Sequence, residues 1–210
     1  MLILDQKILF PVNYQTSFHL IFEEMKSTLN CEYLLYSVIS KDDCGQFYTT
    51  NEDWQRTYIN ENLIKDCVLV NFGAEYMNNH HKPIILPWHS LHPRNKAEKR
   101  VLDARNSYQI GNGISLGQEF SGFKEFLGIT GHLNDTNFVH NAILNIDLIR
   151  MYLKSFRSIA ITNLVLQNKI PFEKMALTKS EFINTSQINP LIFSEDKLIP
   201  YLSYNKLIYH

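Results

Sequence analysis

Twice in this chain two strand-like runs close around a turn, and helical periodicity surrounds both pairs. Tyr33 to Ile39 is a short apolar, aromatic and β-branched run, Asp42-Asp43-Cys44-Gly45 reads as a turn, and Gln46 to Thr50 as the return strand. Gly113 to Glu119 and Phe126 to Thr130 repeat the arrangement around Ser121-Gly122. Before the first pair, Phe18, Ile21, Phe22, Met25 and Leu29 recur at helical spacing, with Thr16 and Ser17 as candidate caps. After the second, Val139, Ala142, Ile143, Ile146, Ile149, Leu153 and Phe156 form a long helical stripe behind the cap cluster Asn134-Asp135-Thr136. Helix, hairpin, helices, hairpin, helix is the order of an antiparallel sheet with helices packed on it, not of alternating βαβ units.

Between the hairpins, Asn51 heads a predicted helix in which Trp54 and Tyr58 stand at i and i+4, on one face. Helix is predicted again after Asp66. His80 to Asn95 contains Pro83, Pro87 and Pro93 and is predicted as loop, whereas Lys96 to Ser107 reads as an exposed, charged helix. The helical stripe after the second hairpin is predicted to run unbroken from Asn137 to Lys169, a candidate dimer surface. Beyond it Pro171, Pro190 and Pro200 cut the chain into short pieces with no long helix. The expected organisation is a domain over 1–169 and a C-terminal extension over 170–210.

Composition narrows the function classes. With 20 basic and 21 acidic residues the net charge is -1, which provides no broad basic field to hold phosphates. The cysteines Cys31, Cys44 and Cys67 are odd in number and widely spaced, as expected in a reducing compartment. Met1 to Phe10 lacks the pattern of a signal peptide, and no apolar run has the ~18 residues that span a bilayer. The expected location is cytoplasmic, away from membranes. His80, His81, His89 and His92 crowd one loop downstream of Cys67, but without a second Cys/His pair at standard spacing they read as a polar loop, not a metal site. No nucleophile elbow, phosphate loop or dinucleotide fingerprint occurs, so the chain is not expected to be an enzyme.

Trp54, Tyr58 and Asp66, then Pro83-Ile84-Ile85-Leu86-Pro87-Trp88, then Tyr108-Gln109-Ile110-Gly111-Asn112-Gly113-Ile114-Ser115-Leu116-Gly117 and Gly122 follow one another in a fixed order. Together they resemble the autoinducer-binding, acyl-homoserine-lactone-sensing domain of the LuxR family of quorum-sensing regulators, over roughly residues 15 to 165. The resemblance implies an α+β fold, an α-β-α sandwich with a central antiparallel sheet of about five strands. It implies a ligand between the sheet and one helical layer, held by Trp54, Tyr58, Asp66 and Trp88, with Thr130 as the nearest candidate for a hydroxyl from a late strand.

The chemistry of these side chains suits such a ligand. The Trp54 indole N–H can only donate and so fits a carbonyl; an ionised Asp66 can only accept and so fits an amide N–H. Tyr58 does either, and Trp88 offers a flat wall for a lactone ring. The plainer alternatives are that Trp54 and Tyr58 are core aromatics and that Asp66 caps a helix.

Three departures from the family pattern stand out. Cys67 follows Asp66 where the family has proline, and the connection from Asp66 to Trp88 is longer than usual. Family regulators end in a helix-turn-helix domain of about 65 residues that reads DNA. Here Leu177-Thr178-Lys179-Ser180-Glu181 resembles its start, and nothing after it carries the expected helices. The expectation is therefore a sensor of an acyl-homoserine lactone or similar small amphipathic signal, with no cofactor and no DNA contact of its own. It would regulate transcription through a protein partner, as a homodimer or as a heterodimer with a LuxR-type regulator. The alternative is a ligand-free interaction module that modulates a full-length regulator by heterodimerisation; an open or a filled cavity near Trp54 separates the two.

Overall fold

Alternation along the strands decides how this molecule is layered. The structure is a computed structural model that describes residues 6–40, 44–120 and 122–166. In chain order its elements are β1 (Gln6–Leu9), α1 (Val12–Leu29), β2 (Tyr33–Ile39), β3 (Cys44–Thr49), α2 (Glu52–Asn60) and α3 (Val68–His80). There follow β4 (Ile84–Pro87), α4 (Lys96–Ser107), β5 (Gly113–Phe120), β6 (Phe123–Thr130), α5 (Phe138–Leu144) and α6 (Ile146–Leu166). The strands form one sheet in the order β1-β3-β2-β6-β5-β4. Five are antiparallel to their neighbours, as expected, and the short β1 adds a parallel edge beside β3.

Successive side chains on a strand point to opposite faces. Leu34, Tyr36 and Val38 of β2, Ile114 and Leu116 of β5, and Leu127 and Ile129 of β6 therefore share one face, and they pack with α1, α5 and α6. The centre of that layer is aromatic. Phe156 stacks on Phe18 at 5.5 Å and on Tyr36 at 5.1 Å between ring centroids. Tyr33 and Leu35, the alternate residues of β2, point the other way and join Trp54, Tyr58, Trp88 and Val101 beneath α2 and α4. The α-β-α sandwich is thus two cores back to back on one sheet.

A buried polar network lies in the first core. Glu125 of β6 is fully buried; it accepts from the Tyr36 hydroxyl at 2.7 Å, Gln118 Nε2 at 2.8 Å and Arg157 Nη2 at 2.6 Å. A buried charge is tolerable only when so fully met.

Several elements differ from expectation. Helix α1 begins at Val12, directly after Pro11, whose fixed φ suits a helix entry. Thr16 instead donates back to the Val12 carbonyl within the helix and caps nothing. The predicted loop 80–95 contains strand β4, paired with β5 from Ile84↔Gly117 to Pro87↔Ile114. The unbroken helix expected from Asn137 is divided at Asn145, whose side chain donates to the Asn141 carbonyl at 2.8 Å. The expected extension over 170–210, with its helix-turn-helix question, lies outside the described residues. Among the described residues no helix is long and apolar enough to cross a membrane.

Candidate functional site

The second face of the sheet is built from small residues at its middle. Ser37 of β2, Ser115 and Gly117 of β5 and Gly128 of β6 floor a cavity of about 120 Å³, roofed by α2, α3 and α4. A Cβ on Gly128 would stand 3.3 Å from the Trp88 ring, and one on Gly117 only 2.9 Å from Ile84. Absent side chains at these positions let Trp88 and Ile84 pack close against the sheet. Most of the wall is apolar: Leu35, Ile39, Ile64, Leu69, Val70, Ile84, Leu86, Val101 and Phe126.

Helix α2 brings two of the predicted residues. Asn51 accepts from the Trp54 backbone N–H at 2.9 Å and so sets the start of the helix. Glu52 and Asp53 follow in its first turn, where the helix dipole favours acidic side chains. Trp54 and Tyr58 then lie side by side, ring centroids 5.1 Å apart, and both line the cavity. The Tyr33 phenol faces Trp54 and Thr49, and burial raises its pKa. Burial likewise holds the Tyr58 hydroxyl, beside the Cys67 thiol, well above the usual phenol value. Both phenols stay protonated and can donate.

Trp88 also lines the cavity, despite the long connection before it. Strand β4 delivers it there, and its indole Nε1–H donates to Ser115 Oγ at 2.7 Å. That donor is occupied within the protein, so Trp88 presents its ring face.

Two predicted residues lie elsewhere. Asp66 ends a 3₁₀ turn over Leu63–Asp66 and is exposed, outside the cavity wall. Leu63 and Cys67 take the inward positions of that turn, because an unpaired carboxylate costs far more to bury than an alkyl or thiol group. Thr130 is fully buried at the end of β6, opposite Tyr33 and Gly113, and is absent from the cavity wall. Its Oγ1 has no hydrogen-bond partner. Gly128, two residues earlier on the same face, reaches the cavity in its place.

The wall also holds residues that the motifs did not mark: Tyr33, Ser37, Gln55, Cys67 and Arg105. Tyr33 and Ser37 follow from strand alternation once β2 is placed. Gln55 is 2% exposed, with neither Oε1 nor Nε2 hydrogen-bonded. Arg105 lies over the Trp88 ring, 4.5 Å from its centroid. Among the described residues no three His, Cys, Asp or Glu side chains converge to hold a metal. His80 stacks on Tyr76 at 4.2 Å and His81 meets Glu119 at 3.4 Å.

No protein-family model and no curated protein matches the chain. Solved structures do. SdiA in complex with octanoyl-rac-glycerol is 13% identical at a TM-score of 0.51, over 91% of this chain and 70% of that one. Escherichia coli SdiA in the space group P6522 is 11% identical at 0.48, over 90% and 72%. The N-acylhomoserine lactone dependent LuxR family transcription factor CepR2 from Burkholderia cenocepacia is 12% identical at 0.44, over 76% of this chain and all of that one. At 13% identity the likeness to the SdiA complex is one of fold alone.

Proposed function

We propose that the chain is a sensor of the quorum-sensing type, binding a small amphipathic molecule such as an acyl-homoserine lactone between the sheet and the α2–α4 layer. The cavity carries this reading: about 120 Å³ of space in a mostly apolar wall that holds a few polar side chains. A cavity of ~150 Å³ holds a benzene-sized guest, so a short acyl chain fits and a longer one requires side chains to move. The partly buried Ile64, Leu69 and Val70 are the ones able to do so. A scaffold kept only for docking has no need of this space, and that favours the sensor over the interaction module.

In this reading Trp54 donates to a ligand carbonyl, while Tyr58 and Trp88 shape the wall. Asp66 takes no part. That a solved SdiA complex contains octanoyl-rac-glycerol, an acyl chain on a polar head, supports a ligand of the same general build. The signal would pass to a protein partner, a second copy or a LuxR-type regulator. Leu20, Leu144 and Met151, exposed on α1, α5 and α6, support such a contact. Mass spectrometry of an organic extract of the purified protein tests the reading. A stoichiometric amphipath in the extract is the expected result; an empty extract together with no binding of any added acyl ligand would contradict it.

A further inference from the structure

Arg157 is buried in the first core and Arg105 is half-buried at the cavity wall, and the two are treated differently. Arg157 meets the Glu125 carboxylate through Nε at 3.0 Å and Nη2 at 2.6 Å, inside a network that satisfies both charges. Arg105 has no such partner. Among the described residues no carboxylate pairs with it, and its Nε is buried without a hydrogen bond. The groups that face it are Cys67, Tyr33 and Tyr58, with the Trp88 ring beneath, and desolvation lowers its pKa. None of these neighbours is a carboxylate.

The cavity itself repeats the asymmetry. Arg105 is the one charged side chain among the described residues of its wall. Asp66, which would repel an anion there, stands outside in solvent. Gln55 adds a buried carboxamide with both of its polar atoms unmet. A guanidinium held half-buried without a counter-charge is partly desolvated at a cost, and its planar fork of donors matches a carboxylate. A neutral lactone leaves that charge unanswered.

We propose that the cavity takes an acidic amphipath, an acyl chain ending in a carboxylate that sits against Arg105, with Gln55 as a second polar contact. This rests on the sensor reading and narrows its ligand class. The carboxylate can belong to a fatty acid or to a ring-opened N-acyl-homoserine, and both present the same chemistry to Arg105.

Calorimetric titration of the purified full chain tests this. The probes are fatty acids, N-acyl-homoserines and the matching neutral lactones, each with tails of about four to ten carbons, from chains that fit the cavity as it stands to chains that need side chains to move. The variants are Arg105→Met and Arg105→Lys. Wild type should bind one or both acids at least ~10-fold tighter than the lactone of equal tail, the scale of a charge-assisted bond. Which acid wins identifies the source of the carboxylate. Arg105→Met should erase the preference, and Arg105→Lys should keep part of it. Arg105→Met should also melt no lower than wild type, because removing an unanswered charge relieves the fold. A lactone bound as tightly as the acids by wild type would overturn the proposal and leave the sensor standing. Acid preference surviving in Arg105→Met, or that variant failing to fold, would overturn it as well. Failure of every probe to bind would remove the sensor reading together with this one.

Discussion

Asp66 and Cys67 are neighbours in the chain and opposites in environment: the carboxylate is exposed and the thiol is buried against the cavity. An acidic residue in a motif therefore says little until the turn carrying it is known. Asp66→Asn is expected to leave both stability and ligand response unchanged, as judged by thermal melts with and without ligand; a lost response would return Asp66 to the site. Trp88 behaves oppositely. Trp88→Phe keeps an aromatic wall but removes the N–H that Ser115 receives at 2.7 Å. Losing that bond and part of the ring is expected to cost about 1–2 kcal/mol in urea denaturation.

At the scale of elements, β6 serves both cores. Its Glu125, Leu127 and Ile129 face α6, while Phe126 and Gly128 face the cavity. Glu125→Ala should destabilise the fold by about 3–5 kcal/mol, because Arg157 would stay buried without its counter-charge. Equilibrium unfolding in urea measures it, and a loss under 1 kcal/mol, roughly the scale of an exposed pair, would show the network to be dispensable. The strands β2, β3, β5 and β6 were legible because β-branched and aromatic residues cluster there between turn residues. Strand β4 was not: it is four residues long, follows Pro83 and ends on Pro87, and prolines mark loops more often than sheet edges. Helix α4 was placed to the residue and is exposed as expected along most of its surface, with one inward side. Glu98, Val101 and Arg105 form its inward side, and two of those three are charged. Motif order marks Trp54, Tyr58 and Trp88, which line the cavity. It does not mark Gln55 and Arg105, since a polar residue on a cavity wall has the same letter as one in solvent.

The described residues form one sheet with a filled core on one side and a partly empty one on the other. The filled side, with its aromatic stack and satisfied charges, is built for stability. The other gives up contacts to keep a space, and a ligand that restores them should stabilise the fold. Free ligand at ~100 times its dissociation constant adds ~2.7 kcal/mol, or about 5–10 °C in Tm for a domain of this size. Ser37 stands on the cavity floor at the centre of the sheet, so Ser37→Leu extends an alkyl group into the space. The most direct measurement is a thermal-shift series with acyl-homoserine lactones and the corresponding acids, on wild type and Ser37→Leu. The expected result is a concentration-dependent rise for wild type and little or none for the filled variant, which should fold without ligand. No shift in wild type with any ligand, or equal shifts in the two proteins, would contradict a binding cavity at this site.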